Sequence, residues 1–234
     1  MINIRKSNER GNVDFGWLKS CHTFSFGNYY DPKYMGFGKL RVINEDWVKG
    51  GQGFGSHPHR DMEIITYVME GALEHKDSMG NSSTINKNDF QKMSAGTGVV
   101  HSEYNNSESR PVHLYQIWIL PEKTGINPDY QQLNIDKDSI AGNLKLIASG
   151  NSVDENVISI NQDADIYIGS LKNGTTFRYE NKTARDIWIQ VTKGTAKISE
   201  RVLDEGDGAS ISGENEIIIE TNSFGEILLF DMIQ

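Results

Sequence analysis

Two short stretches of the chain combine histidine and glutamate at a spacing that suits metal binding. The first stretch reads Gly-Ser-His-Pro-His and contains His57 and His59. The second reads Val-Val-His-Ser-Glu and contains His101 and Glu103. Side chains two residues apart on a β-strand point to the same face of a sheet. Two neighbouring antiparallel strands could therefore present all four side chains to one point.

Three imidazoles and one carboxylate suit a divalent transition metal. Such a donor set holds Fe, Mn, Ni, Cu, Co or Zn, whereas Ca and Mg prefer sites built from oxygen. Four protein ligands leave two positions open in an octahedral shell, where a substrate oxygen or dioxygen can bind. A polar cluster satisfied by hydrogen bonds alone is the alternative. Glu63 shares the strand parity of the first two histidines, so parity does not choose between Glu63 and Glu103 as the carboxylate.

The other histidines carry weaker signals. His75 and His113 have no partner at ligand spacing, and we interpret both as structural. His22 follows Cys21, so a Cys–His nucleophile pair is an alternative, but no activating acid is visible nearby and adjacent residues on a strand point opposite ways. A structural role is favoured for His22. All six histidines lie in the first half of the chain, so only that half is expected to hold metal.

The elements that must position these residues are β-strands. Alternating or β-branched runs recur between Gly, Asn and Asp turns, and no long stretch has the apolar period of a helix. The strand candidates are Lys39–Asn44, Glu63–Met69, Val112–Leu120, Leu144–Ala148, Asp165–Gly169, Asp186–Val191, Glu216–Glu220 and Glu226–Met232. Many short strands at close spacing predict an all-β sandwich or barrel.

The length of 234 residues suits one large domain or two small ones. The segment Pro121–Gly142 contains Pro and Gly, has little apolar periodicity and divides the chain into comparable parts. We predict an N-terminal domain of residues 1–125, a linker of residues 126–142 and a C-terminal domain of residues 143–234. Each part contains a strand that ends in a turn glycine, Gly71 or Gly194, followed by a tight turn, which suggests a duplicated unit.

Composition argues against several classes of partner. The formal net charge of −9 disfavours a nucleic-acid surface, which needs clustered Lys and Arg. The single cysteine, Cys21, cannot form an internal disulfide. The N-terminus lacks the apolar region of a secretory signal, and no apolar run approaches the roughly 20 residues of a membrane span. We predict a cytoplasmic protein that contacts neither nucleic acid nor membrane.

The residues around both motifs resemble those of pirin and the bacterial pirin-like proteins of the cupin superfamily. The matching segments are residues 53–63, 94–103, 22–26, 36–41, 116–118 and 120–121. The resemblance is close over about residues 15–130 and thin beyond them. It implies a bicupin, an all-β chain of two cupin-type antiparallel β-barrels that face each other, with metal only in the N-terminal barrel.

The resemblance also implies which residues bind the metal. The ligand positions of pirins fall on His57, His59, His101 and Glu103. Glu103 is thereby favoured over Glu63, which we keep as a candidate for contacting the ligands. The chain departs here from ordinary cupins, which use a glutamate at the place of Glu63. Ordinary cupins also open their second motif with Gly-Asp, where this chain has Asn88 and Asp89.

Several pirin-like proteins have quercetin 2,3-dioxygenase activity, so the resemblance implies an activity and a metal. The reaction opens the central ring of a flavonol such as quercetin with O₂ and releases carbon monoxide. The resemblance favours Fe(II) as the ion, and Glu103 is the expected base for the flavonol hydroxyl proton. The alternative is a metal- or redox-sensing regulatory protein that acts through protein partners, with flavonol turnover incidental. Both roles need the same metal site, so the sequence does not separate them.

Overall fold

The fold is built almost entirely from antiparallel β-strands. The computed structural model describes residues 1–181 and 185–233. Within them, helical structure amounts to one 3₁₀ turn, Ser7–Glu9, so the prediction of an all-β chain is confirmed. Each predicted strand overlaps an observed one. No helix in this part of the chain has the length and hydropathy needed to cross a membrane.

The strands follow one another closely along the chain. In order they are β1 (Ile2–Arg5), β2 (Gly11–Asp14), β3 (Leu18–His22), β4 (Leu40–Val48), β5 (Gly53–His59), β6 (Glu63–Glu70), β7 (Ala72–Asp77), β8 (Ser82–Asn86), β9 (Asp89–Ser94), β10 (Val99–Asn105), β11 (Val112–Ile119), β12 (Asp129–Asn134), β13 (Leu144–Ser149), β14 (Ile158–Ser159), β15 (Ala164–Leu171), β16 (Thr176–Glu180), β17 (Asp186–Ile198), β18 (Arg201–Asp204), β19 (Gly208–Ile211), β20 (Glu216–Glu220) and β21 (Gly225–Met232).

These strands form two compact units. The first, which we call the histidine unit, comprises residues 11–135 and 158–162. The second, the C-terminal unit, comprises residues 1–10, 136–157 and 163–234. Strand β1 lies within the expected N-terminal domain but belongs to the C-terminal unit, whereas β12 lies within the expected linker but belongs to the histidine unit. Strand β1 pairs with β19 because Ile2 and Ile4 pack on the C-terminal core, and β12, within the expected linker, pairs with β9.

Two antiparallel sheets make up the histidine unit. The seven-stranded sheet has the order β12-β9-β6-β11-β4-β3-β2, and the four-stranded sheet has the order β5-β10-β7-β8. Apolar side chains from both sheets share one buried cluster, in which Leu73 and Ile85 of the smaller sheet meet Val68 and Leu114 of the larger one. Sheets that share such a layer pack face to face. This shared layer holds the four-stranded sheet, which contains β5 and β10, against the larger sheet.

The C-terminal unit is organised around the 13-residue strand β17. Its main sheet has the order β1-β19-β17-β21-β15-β13, and β18 and β20 also pair with β17. The core cluster consists of buried apolar side chains such as Ile187, Ile189 and Leu229. A hydrocarbon core of this kind agrees with the absence of histidine from this part of the sequence.

Candidate metal centre

Three histidine side chains meet on the four-stranded sheet. His57 and His59 lie on β5, and the antiparallel register places His101 of β10 opposite His57. The ring centroids are 4.8 Å apart for His57 and His59, 4.4 Å for His57 and His101, and 4.9 Å for His59 and His101. One ring nitrogen from each lies within 4.8 Å of the other two. Two ring nitrogens bound on opposite sides of one ion are about 4.2 Å apart. The three rings would therefore need to move only slightly closer together to bind an ion.

Glu103 lies beside His101 rather than beside the other two histidines of the cluster. A carboxylate oxygen of Glu103 and ring nitrogens of His75 and His101 form a second group within 4.8 Å. Thr66 Oγ1 donates to Oε1 of Glu103 at 3.3 Å, and Gln116 Nε2 donates to Oε2 at 2.5 Å. Two strands of the seven-stranded sheet, β6 and β11, therefore hold this carboxylate. His101 is the residue that the two groups share.

Glu63 belongs to neither group, although its strand parity made it a candidate. Its carboxylate accepts hydrogen bonds from Ser94 Oγ at 2.9 Å and Asn161 Nδ2 at 3.2 Å. The chain turns between β5 and β6, where Asp61 adopts a left-handed φ of 49°. A turn between two strands resets which positions face inward, so parity counted from His57 does not carry over to β6. Glu63 is therefore held by Ser94 and Asn161 and is not one of the clustered potential ligands.

His75 lies in the second group, although the sequence predicts only a structural role for it. It is on β7, whose register with β10 places it opposite Glu103. Its Nδ1 is 3.5 Å from Nδ1 of His101, and its side chain is fully buried. The sequence analysis also missed Thr66 and Gln116, which donate hydrogen bonds to Glu103. Local patterns locate strands but not their neighbours, and the pairing of β7 with β10 is the signal that would have found His75.

Burial governs the ionisation of the cluster. It lowers the pKa of His101 to about 3 and that of His59 to about 4, with neighbouring imidazoles adding to the effect. Both rings are therefore neutral at pH 7, as metal ligation requires. Burial raises the pKa of Glu103 to about 7, against the opposing hydrogen bonds from Thr66 and Gln116. The carboxyl can therefore gain or lose a proton near neutral pH.

Hydrogen bonds leave ring nitrogens open for a metal ion. Nδ1 of His57 is 2.7 Å from the carbonyl oxygen of Gly55. Because a carbonyl only accepts, Nδ1 carries the proton and Nε2 has a free lone pair. Nε2 of His101 is buried and has no hydrogen-bond partner among the described residues, which costs about 1–3 kcal/mol unless another partner is present. The residues present fit a divalent transition-metal ion.

A cavity of about 460 Å³ lies over this cluster. His57, His59 and Glu103 line it, together with an aromatic wall. The wall consists of Phe15, Trp17, Phe26, Phe54 and Trp118. Trp118 contacts His59 edge-on, with ring centroids 5.0 Å apart. A larger groove beside Trp47 contains no histidine, so the smaller cavity is the one that combines ligand groups with space for a substrate.

Comparison with known proteins relates both halves of the chain to cupins. Residues 3–119 match the family model for pirin, and residues 146–232 match the model for the quercetinase C-terminal cupin domain. The chain is 48% identical over 232 residues to quercetin 2,3-dioxygenase of Escherichia coli (strain K12), covering 99% of each. The nickel(II) complex of the E. coli bacterial pirin YhhW has a TM-score of 0.95 at 46% identity, covering 100% of this chain and 99% of that one. The predicted fold class, two cupin-type domains, is confirmed.

Proposed function

Since the chain belongs to the pirin family, we propose that it is a metal-dependent dioxygenase that opens flavonols such as quercetin with O₂ and releases carbon monoxide. The observation that carries this proposal is the convergence of His57, His59 and His101 beneath an aromatic-walled cavity. Two comparisons with E. coli proteins support it. One comparison is with a protein named a quercetin 2,3-dioxygenase, and the other is with a bacterial pirin in complex with nickel(II).

The proposed metal ligands are ring nitrogens of His57, His59 and His101 and a carboxylate oxygen of Glu103. When bound, a divalent ion would supply Lewis-acid polarisation of a substrate oxygen, and a redox-active ion such as Fe(II) would also supply electrons for chemistry with dioxygen. Fe(II) is the metal that we propose for the cell. The same donors accept Mn, Co, Ni, Cu or Zn, and availability decides which of these is loaded.

Glu103 is the proposed base for the flavonol hydroxyl proton. Because Glu103 is also a proposed ligand, it would take this proton after leaving the ion. In the metal-free protein burial raises the pKa of Glu103 to about 7, close to the working pH at which a general base is most effective. Gln116 and Thr66 donate to the carboxylate and keep it in the cavity wall. These two hydrogen bonds also stabilise the negative charge of Glu103 in its ionised form, which is the form that can take a proton.

The cavity suits a flat substrate that carries hydroxyl groups. Its volume of about 460 Å³ falls within the range of about 300–1,000 Å³ typical of small-molecule sites. Oδ1 of Asn44 and Oδ1 of Asp46 are buried and have no hydrogen-bond partner among the described residues, and both residues line the cavity. An unpaired amide oxygen favours a ligand that brings a donor, because pairing removes a cost of burial. Burial raises the pKa of Asp46 to about 7, so its unpaired carboxyl oxygen can pair with a donor or an acceptor of the ligand. A polyhydroxylated aromatic compound supplies such donors.

Quercetin turnover by iron-loaded protein tests the proposal. Metal-free protein is loaded anaerobically with an equimolar amount of Fe(II) and then mixed with quercetin in air. We expect flavonol absorbance to fall over many turnovers, with equimolar release of carbon monoxide, and no turnover before iron is added. Stoichiometric metal binding without turnover would contradict the proposal and favour a metal sensor or a different substrate.

A further inference from the structure

A buried row of three side chains lies behind the histidine cluster. Nε2 of His75 is 3.0 Å from Oδ2 of Asp77, and Nδ1 of His75 is 3.5 Å from Nδ1 of His101. The side chains of His75 and Asp77 are both 0% exposed. Water is therefore excluded from these contacts. Protein groups alone determine which atom donates and which accepts in each hydrogen bond of the row.

Asp77 can only accept hydrogen bonds. Its Oδ1 accepts from the backbone N–H groups of Met79 at 2.9 Å and Asn81 at 3.0 Å, and its Oδ2 accepts from Asn81 Nδ2 at 2.8 Å. A carboxyl group surrounded by amide donors is ionised, because each donor stabilises the charged form. His75 must therefore donate, and its proton lies on Nε2.

The proton on Nε2 of His75 determines the tautomer of His101. In a neutral imidazole that donates through Nε2, Nδ1 carries a lone pair, so Nδ1 of His75 is an acceptor. The group that can donate to it is Nδ1–H of His101. A neutral His101 with its proton on Nδ1 has a bare Nε2, and this is the buried nitrogen without a partner among the described residues.

We propose that Asp77 and His75 are positioning residues that set the tautomer of His101 and leave its Nε2 free to bind the metal ion. The inference rests on the metal site of the proposed function. Metal-binding histidines commonly donate their second N–H to a carbonyl or carboxylate, which fixes ring orientation and raises ligand basicity. His57 meets this requirement through Gly55, whereas His101 meets it through a histidine oriented by a carboxylate. His75 accordingly does not bind the ion.

Nitrogen NMR of the metal-free, full-length protein tests the tautomers directly. We expect His57 and His101 to carry the proton on Nδ1 and His75 to carry it on Nε2. Protonation of His101 on Nε2 would overturn the proposal. The measurement requires neither quercetin nor iron, so its outcome is independent of whether the protein is a dioxygenase.

Asp77→Asn should reverse the direction of the hydrogen bonds from residue 77 to His75 and from His75 to His101. Asparagine has the same shape and can present an N–H to Nε2 of His75, which moves the proton of His75 to Nδ1 and that of His101 to Nε2. Nickel(II) affinity should fall about 10- to 100-fold, the usual effect of losing such a partner. In the C-terminal unit, Asp154 accepts similar bonds from Asn156 N at 2.8 Å and Nδ2 at 3.1 Å, so Asp154→Asn is a matched control that should bind nickel(II) normally.

Unchanged nickel(II) affinity in a folded Asp77→Asn protein would overturn the proposal, and if that variant does not fold, the wild-type tautomers decide. His75→Asn tests the remaining alternative, direct ligation by His75. Asparagine Oδ1 can accept from Nδ1–H of His101, so a positioning role predicts that affinity falls by less than about tenfold. A loss as complete as that of His101→Ala would identify His75 as a ligand and overturn the proposal.

Discussion

His101→Ala should abolish metal loading and quercetin turnover together. His101 is the residue common to both groups of potential ligands, and its Nε2 is the buried nitrogen that has no hydrogen-bond partner among the described residues. Removing a ligand should weaken binding by more than the roughly 10- to 100-fold caused by removing a ligand's partner. Iron analysis after anaerobic reconstitution and desalting, followed by the turnover assay, measures both effects.

His113→Gln is a suitable control for that substitution. His113 is outside the cluster and pairs with Glu45 at 3.0 Å, and glutamine can still donate to that carboxylate. The control should load iron as the wild type does. The alanine variant should keep its β-rich circular dichroism, because the apolar core clusters do not include His101. Full iron content in folded His101→Ala protein would remove the proposed site.

Glu103→Gln should lower the turnover number for quercetin by about 10²- to 10⁴-fold, the usual contribution of a general base. Glutamine retains the size of the side chain but cannot take the hydroxyl proton. The three imidazoles remain, so some metal binding should survive, and turnover is therefore measured at saturating Fe(II). Near-normal turnover in the variant would show that the proton goes elsewhere.

The same substitution should also weaken the pH dependence of metal binding. Burial raises the pKa of Glu103 to about 7, so below that pH an incoming ion must displace a proton, and affinity should fall about tenfold per pH unit. His59 and His101 add nothing near neutrality, because their pKa values are lowered to about 4 and about 3. Nickel(II) affinity measured between about pH 6 and 8 should fall more steeply with falling pH in the wild type than in Glu103→Gln. An equal slope in both would assign the proton to another group.

The sequence was most informative where the chemistry depends on spacing within one strand. The two-residue period of a strand was sufficient to predict that His57 and His59 share a face, and the structure brings them to His101. The same period failed for Glu63, because the turn at Asp61 lies between the strands. The alternation of side-chain direction predicts which residues share a face within one strand, but it cannot be extended across the turn that ends the strand.

Pairing between strands distant in the sequence was the part that could not be predicted. The contact of His75 with His101 depends on β7 lying beside β10, and no local pattern specifies that neighbour. Strands β1 and β12 were not among the strands predicted from the sequence, and they pair with β19 and β9. Ile2 and Ile4 of β1 are an ordinary alternating pair by themselves, and their role becomes visible only against the C-terminal core. Such choices depend on the packing of the whole fold.

The position of the metal ion tests the central claim most directly. Crystals of nickel(II)-loaded protein, measured at the nickel absorption edge, should give a single anomalous peak within bonding distance of His57, His59, Nε2 of His101 and Glu103. A peak between Nδ1 of His75 and Nδ1 of His101, or no peak at the cluster in fully loaded protein, would contradict the account.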